Sequence, residues 1–63
     1  MKNKIRELRK QRGLTQEELA EIIEISRQAI NAIEKEKFDP SLPTAFKIAK
    51  LFKISIENLF LYA

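Results

Sequence analysis

The apolar residues Leu19, Ala20, Ile22, Ile23, Ile25, Ala29, Ile30 and Ile33 fall on one broad stripe when counted at about 100° per residue. Periodicity alone therefore allows a single unbroken helix through "EIIEISRQAI", a stretch with neither glycine nor proline. Two local features divide it. Ser26 is the next side chain able to cap a helix N-terminus, and the β-branched Ile22, Ile23 and Ile25 just before it weaken helical propensity. The pattern predicts a break at about residues 24–26.

Further helices follow from the same periodicity. A first helix near residues 2–12 turns Ile5 and Leu8 inward and most of its bases outward, and Gly13 suits the left-handed residue that ends it. Thr15 opens the second helix, with Glu18 at capping-box spacing and Leu19, Ala20, Ile22 and Ile23 as its buried stripe. A third helix from Arg27 to about Lys35 buries Ala29, Ile30 and Ile33. Its opposite side carries Arg27, Gln28, Asn31, Ala32 and Lys35. "EKFDPSLP" is a loop, because Pro40 bars helix at Asp39 and Pro43 is tolerated only in a first turn. Ser41 then caps a fourth helix driven by Leu42, Ala45, Phe46, Ile48, Ala49 and Phe52, ending near Lys53. Ser55 caps a short fifth helix holding Ile56 and Leu59, before the apolar ending "LFLYA".

Composition narrows the class. Valine is absent, helix formers dominate, and no repeat or linker interrupts the 63 residues, so one all-α five-helix domain spanning residues 1–63 is expected. A domain this small buries only about 60% of the surface its unfolded chain exposes, so a second copy would stabilise it. Cysteine and histidine are both missing, and Asp39 is the only aspartate. Thiolate nucleophiles, imidazole bases and the usual zinc ligands are thereby excluded, and neither an enzyme activity nor a cofactor is expected. No apolar run approaches the ~20 residues that span a bilayer, and the basic start lacks the apolar core of a signal peptide. The expected location is cytoplasmic and nucleoid-associated, with no membrane partner and no evident small-molecule effector.

The net charge of +3 is unevenly spread. Lys2, Lys4, Arg6, Arg9, Lys10 and Arg12 crowd the first helix against Glu7 alone, whereas Glu17, Glu18, Glu21 and Glu24 follow without a base. Two solvated helix faces that attract each other would explain this, and so would an electrostatic footprint for nucleic acid.

The order and spacing of "LTQEELA", "SRQAINAIE" and "DPSL" resemble the XRE-type family, the helix-turn-helix domains of the lambdoid phage repressor and Cro class. The resemblance covers essentially the whole chain and places the helix-turn-helix at about residues 16–35. It implies the lambda-repressor-like fold and binding to double-stranded DNA. Position by position, it implies that Gln16 touches a phosphate and buttresses the third helix. Ala20 lets helices pack closely, and Ile30 and Ile33 pin the third helix to the core. Arg27, Gln28 and Asn31 reach base edges, with Ala32 able to touch a thymine methyl. Arg9 and Glu34 form a salt bridge between the first and third helices, and Lys35 and Lys37 meet the DNA backbone. Relatives often have glycine where this chain has Glu24, Glu36 and Lys53, so at least one of these three is expected at positive φ, at a cost of roughly 1 to 2 kcal/mol each.

The residue types suit the task. A guanidinium at Arg27 matches the two acceptors of guanine, and the amides of Gln28 and Asn31 match the acceptor and donor of adenine. Gln16, Ser26, Lys35, Lys37 and Lys10 are the candidate phosphate contacts, aided by the free amides at the starts of the second and third helices. The same residues could simply keep an exposed face soluble, and for Ala32 that reading is favoured. The expected function is a sequence-specific transcriptional regulator, a repressor that reads a palindromic operator through the major groove as a homodimer. Ile56, Leu59, Phe60, Leu61 and Tyr62 are expected to form the dimer interface, unless Phe60 folds back on its own core. The alternative is an antitoxin-like protein-interaction module that uses the same apolar C-terminus.

Overall fold

Four serine or threonine hydroxyls and four left-handed residues divide the chain into helices. The computed structural model describes residues 1–61, so Tyr62 lies outside the described residues. Among them the order is β1 (Lys2–Asn3), α1 (Ile5–Gln11), α2 (Gln16–Ile23), α3 (Arg27–Glu34), α4 (Leu42–Phe52), α5 (Ile56–Leu59) and β2 (Phe60–Leu61). The five-helix expectation holds.

Each helix from α2 onward begins at a capping oxygen. Thr15 accepts from the Glu18 amide while the Glu18 carboxylate accepts from the Thr15 amide, completing a capping box. Hydrogen bonds to the Glu18 carboxylate from the Thr15 amide, and secondarily from its hydroxyl, hold that carboxyl below its usual pKa. A depressed carboxylate pKa adds stability at neutral pH that is lost as the pH falls through the folded value. Ser26, Ser41 and Ser55 accept from the amides of Ala29, Thr44 and Asn58 respectively.

The helix ends share one device. Gly13, Glu24, Glu36 and Lys53 all have positive φ, at 67°, 67°, 64° and 57°. In each case the next residue donates its N–H to a carbonyl five positions back: Leu14 to Arg9, Ile25 to Ala20, Lys37 to Ala32 and Ile54 to Ala49, at 2.9–3.1 Å. All three non-glycine candidates are therefore left-handed. Ile25 and Ile54, the residues after two of these turns, pack against the core, and that burial offsets the strain.

The core gathers Ile5 from α1, Leu19, Ala20 and Ile23 from α2, Ile30 and Ile33 from α3, four residues of α4, and Leu59 and Phe60. Three expectations about burial are corrected. Ile22 is 51% exposed, because the turn at Glu24 ends the stripe that a continuous helix would have extended. Leu42 and Phe46 are 65% and 48% exposed, because α4 settles on Ala45, Ile48, Ala49 and Phe52 and leaves them on its flank.

The chain's ends pair. β1 and β2 form an antiparallel ladder with Lys2 opposite Leu61 and Asn3 opposite Phe60, an element absent from the all-helical reading. Strand alternation turns Phe60 into the core and Leu61 outward. Leu59 and Phe60, expected at a dimer interface, are instead buried in the chain's own core, at 0% and 6% exposure. Their apolar surface is already covered within the monomer.

Lys53→Gly removes the left-handed strain at the end of α4 at the expense of a more flexible unfolded chain. A net gain of about 0.5 to 1 kcal/mol is expected, roughly 4 °C in the thermal midpoint. A fall in that midpoint would show that the Lys53 backbone is unstrained.

Candidate nucleic-acid interface

The site begins with an ion pair that has little water around it. Arg9 Nε donates to Glu34 Oε2 at 2.8 Å and Arg9 Nη2 to Glu34 Oε1 at 3.2 Å, a two-pronged contact between side chains only 10% and 4% exposed. Arg9 Nη1 also donates to the Leu14 carbonyl at 2.9 Å. The hydrogen-bonded Glu34 carboxylate raises the Arg9 pKa above its usual value, against the opposing effect of burial. One side chain thus ties α1 to the end of α3 and to the turn before α2.

Glu34 holds more than Arg9. Its Oε1 also accepts from Gln16 Nε2 at 3.2 Å, and Gln16 Oε1 accepts from Asn31 Nδ2 at 3.4 Å. Asn3, not anticipated from the sequence, clamps the other side of α3. Its Nδ2 donates to the Ile33 carbonyl at 2.8 Å while its Oδ1 accepts from the Ile5 amide. A polar residue just before a helix was the available signal, since an Asn there can cap through its side chain.

With α3 so fixed, its outer face is well defined. Ser26, Arg27 and Gln28 at its start, Asn31 and Ala32 one turn on, and Lys35 and Lys37 beyond its end line one open depression. Arg27 and Gln16 also border the hollow at the start of α2, together with Gly13 and Thr15. Lys35 and Gln16 in turn border a third hollow with Arg6 and Lys10. The shared residues make these three hollows one continuous surface. It contains every residue proposed from the sequence to touch bases or phosphates.

The bases of α1 are sorted by contact. Arg9 is committed to Glu34, and Arg12 lies over the Phe52 ring at 5.5 Å from its centroid. Arg6 and Lys10 remain exposed on the side of the depression; Arg6 is an addition to the sequence-based set. The surface offers free amides at two helix starts, several cations, and a row of side chains carrying paired donors and acceptors.

The helix-turn-helix family model matches residues 5–59. The chain belongs to the helix-turn-helix family. It is 56% identical over 62 residues to the uncharacterized HTH-type transcriptional regulator MJ0272 of Methanocaldococcus jannaschii, covering 98% of this chain and 94% of that one. It is 47% identical over 60 residues to the uncharacterized HTH-type transcriptional regulator YgzD of Bacillus subtilis, covering 95% and 91%. Its structure is similar to the restriction-modification controller protein C.AhdI of Aeromonas hydrophila, with a TM-score of 0.78 and 34% identity over 89% of this chain and 85% of that one. The XRE-type resemblance agrees with all three. These relatives are regulators rather than enzymes. Among the described residues of this helix-turn-helix chain, no helix is long and apolar enough to cross a membrane.

Arg9→Met leaves the Glu34 carboxylate without its cation in a nearly dry position, and a loss of about 3–5 kcal/mol in urea unfolding is expected. Replacing both residues with methionine should recover most of it. A single-variant loss below about 1 kcal/mol would mean that water reaches the pair freely.

Proposed function

We propose that this chain is a sequence-specific double-stranded DNA-binding transcriptional regulator that represses by occupying a promoter. The observation that carries the reading is the outer face of α3, where Arg27, Gln28 and Asn31 share one depression with Lys35 and Lys37. An α-helix fits the major groove, and these side chains offer a guanidinium and amides to base edges while the lysines beside them offer cations to phosphates. The naming of full-length relatives as HTH-type transcriptional regulators supports the same reading. Ser26, Gln16 and Lys10 are the further phosphate contacts, and Ala32 is the contact for a thymine methyl.

A single α3 reads only a few base pairs, so the proposed form is a homodimer on a palindromic operator, with half-sites about 34 Å apart. Tyr62 stays in the proposed interface, and among the described residues exposed Leu61 and half-buried Ile56 are the candidates that remain, since Leu59 and Phe60 are buried. Sedimentation at high micromolar concentration should give a dimer; a monomer there removes the dimer from the proposal.

Binding to duplex DNA should fall steeply with salt yet retain a preference for one sequence over random duplex. Arg27→Ala and Gln28→Ala should each erode that preference by about 1–3 kcal/mol. Lys37→Ala should instead weaken all duplexes alike and lower the salt slope by about 1. Equal effects of both kinds of change on specific and random DNA would show that another face reads the bases.

A further inference from the structure

Gln16 and Asn31 carry amides, whose nitrogen and oxygen ends can exchange places unless a neighbour accepts only one of them. Glu34 is such a neighbour. Its carboxylate only accepts, so the end of Gln16 that lies 3.2 Å from Glu34 Oε1 is the Nε2 donor. Gln16 Oε1 then faces α3, and Asn31 meets it with Nδ2 at 3.4 Å. The Asn31 Oδ1 and its second N–H are left for the outer face. An acceptor beside a donor complements the edge that adenine shows in the major groove.

We propose that Glu34 is a positioning residue for base reading: through Gln16 it sets the direction in which Asn31 presents its amide. The inference rests on the sequence-specific DNA binding proposed above. The donor count closes without conflict, because Gln16 keeps a second Nε2 hydrogen for a phosphate while its first remains on Glu34. The chain of bonds is saturated toward the protein and open toward the DNA. Its longest link, at Asn31, lets that side chain adjust on docking while keeping its polarity.

The test begins by selecting bound sequences from a random duplex pool with the wild-type chain and finding the base pair whose preference Asn31→Ala erases. Glu34→Gln replaces an acceptor-only group by one that also donates, which frees the Gln16 amide to turn. Roughly tenfold discrimination should be lost at that one base pair and retained at the others. Adding Asn31→Ala to Glu34→Gln should change nothing further. Ile48→Val, a core truncation on α4, should lower the melting temperature while leaving discrimination intact.

Retained discrimination in Glu34→Gln, or an equal loss at every base pair, overturns the inference while leaving the DNA-binding reading standing. Failure of Asn31→Ala to erase any preference does the same. A wild-type chain that selects no sequence overturns both. Should Glu34→Gln fail to fold, NMR of the wild-type chain decides the matter. One Gln16 Nε2 proton should exchange slowly and the other fast, and two equivalent, fast-exchanging protons would refute the arrangement.

Discussion

The guanidinium of Arg9 and the carboxylate of Glu34 meet where little water remains, and the position of α3 depends on that meeting. Each charge buried alone would be costly, so neither helix can move away from the other without exposing an unpaired ion. The pair is more than an attraction between two helices. Arg9 also holds the Leu14 carbonyl and Glu34 also holds Gln16, so α1, the turn into α2 and the end of α3 form one hydrogen-bonded unit. A chain of 63 residues has few core contacts with which to fix a helix angle, and this unit adds direction that packing alone does not.

Around it the connections into α3 and α5 are three residues each. Helices α2 and α3 are joined by Glu24, Ile25 and Ser26, with Glu24 reversing the chain and Ser26 capping the next helix. The strain of a left-handed glutamate is repaid locally, since Ile25 packs on the core and its amide reaches Ala20. Exposed Lys47 lies 3.6 Å from Glu24 across the gap between α4 and α2, a contact that solvent screening leaves weak. The same turn leaves Ile22 in water. Its exposure follows from the broken stripe and not from any deficit of apolar surface inside.

Charge is sorted by the fold in a way that the totals conceal. Of six bases near the N-terminus, one is buried with Glu34, one lies over Phe52, and Arg6 and Lys10 border the face that α3 presents. The glutamates of α2 remain on its exposed side. A net charge of +3 therefore understates the local field at the depression, where cations outnumber acids.

Helix starts, helix ends and the residues on the outer face of α3 were legible in the sequence because their causes are local. A hydroxyl at Thr15 or Ser26 acts within three residues, and a 3.6-residue period sorts a helix's own faces. The family resemblance supplied what periodicity lacked, including the partnership of Arg9 with Glu34 and the role of Gln16. Contacts across long separations were decided only by the tertiary structure. The Asn3 clamp on Ile33 spans 30 residues and the Gln16 bond to Glu34 spans 18. The inward turn of Phe60, the outward turn of Leu42 and Phe46, and the pairing of the two chain ends likewise depend on the angles at which helices cross. By itself the sequence determined which segments become helices and which side chains α3 can offer. The assembled fold decided which apolar residues are covered and which way the amides of Gln16 and Asn31 point, because both depend on neighbours brought together only in three dimensions.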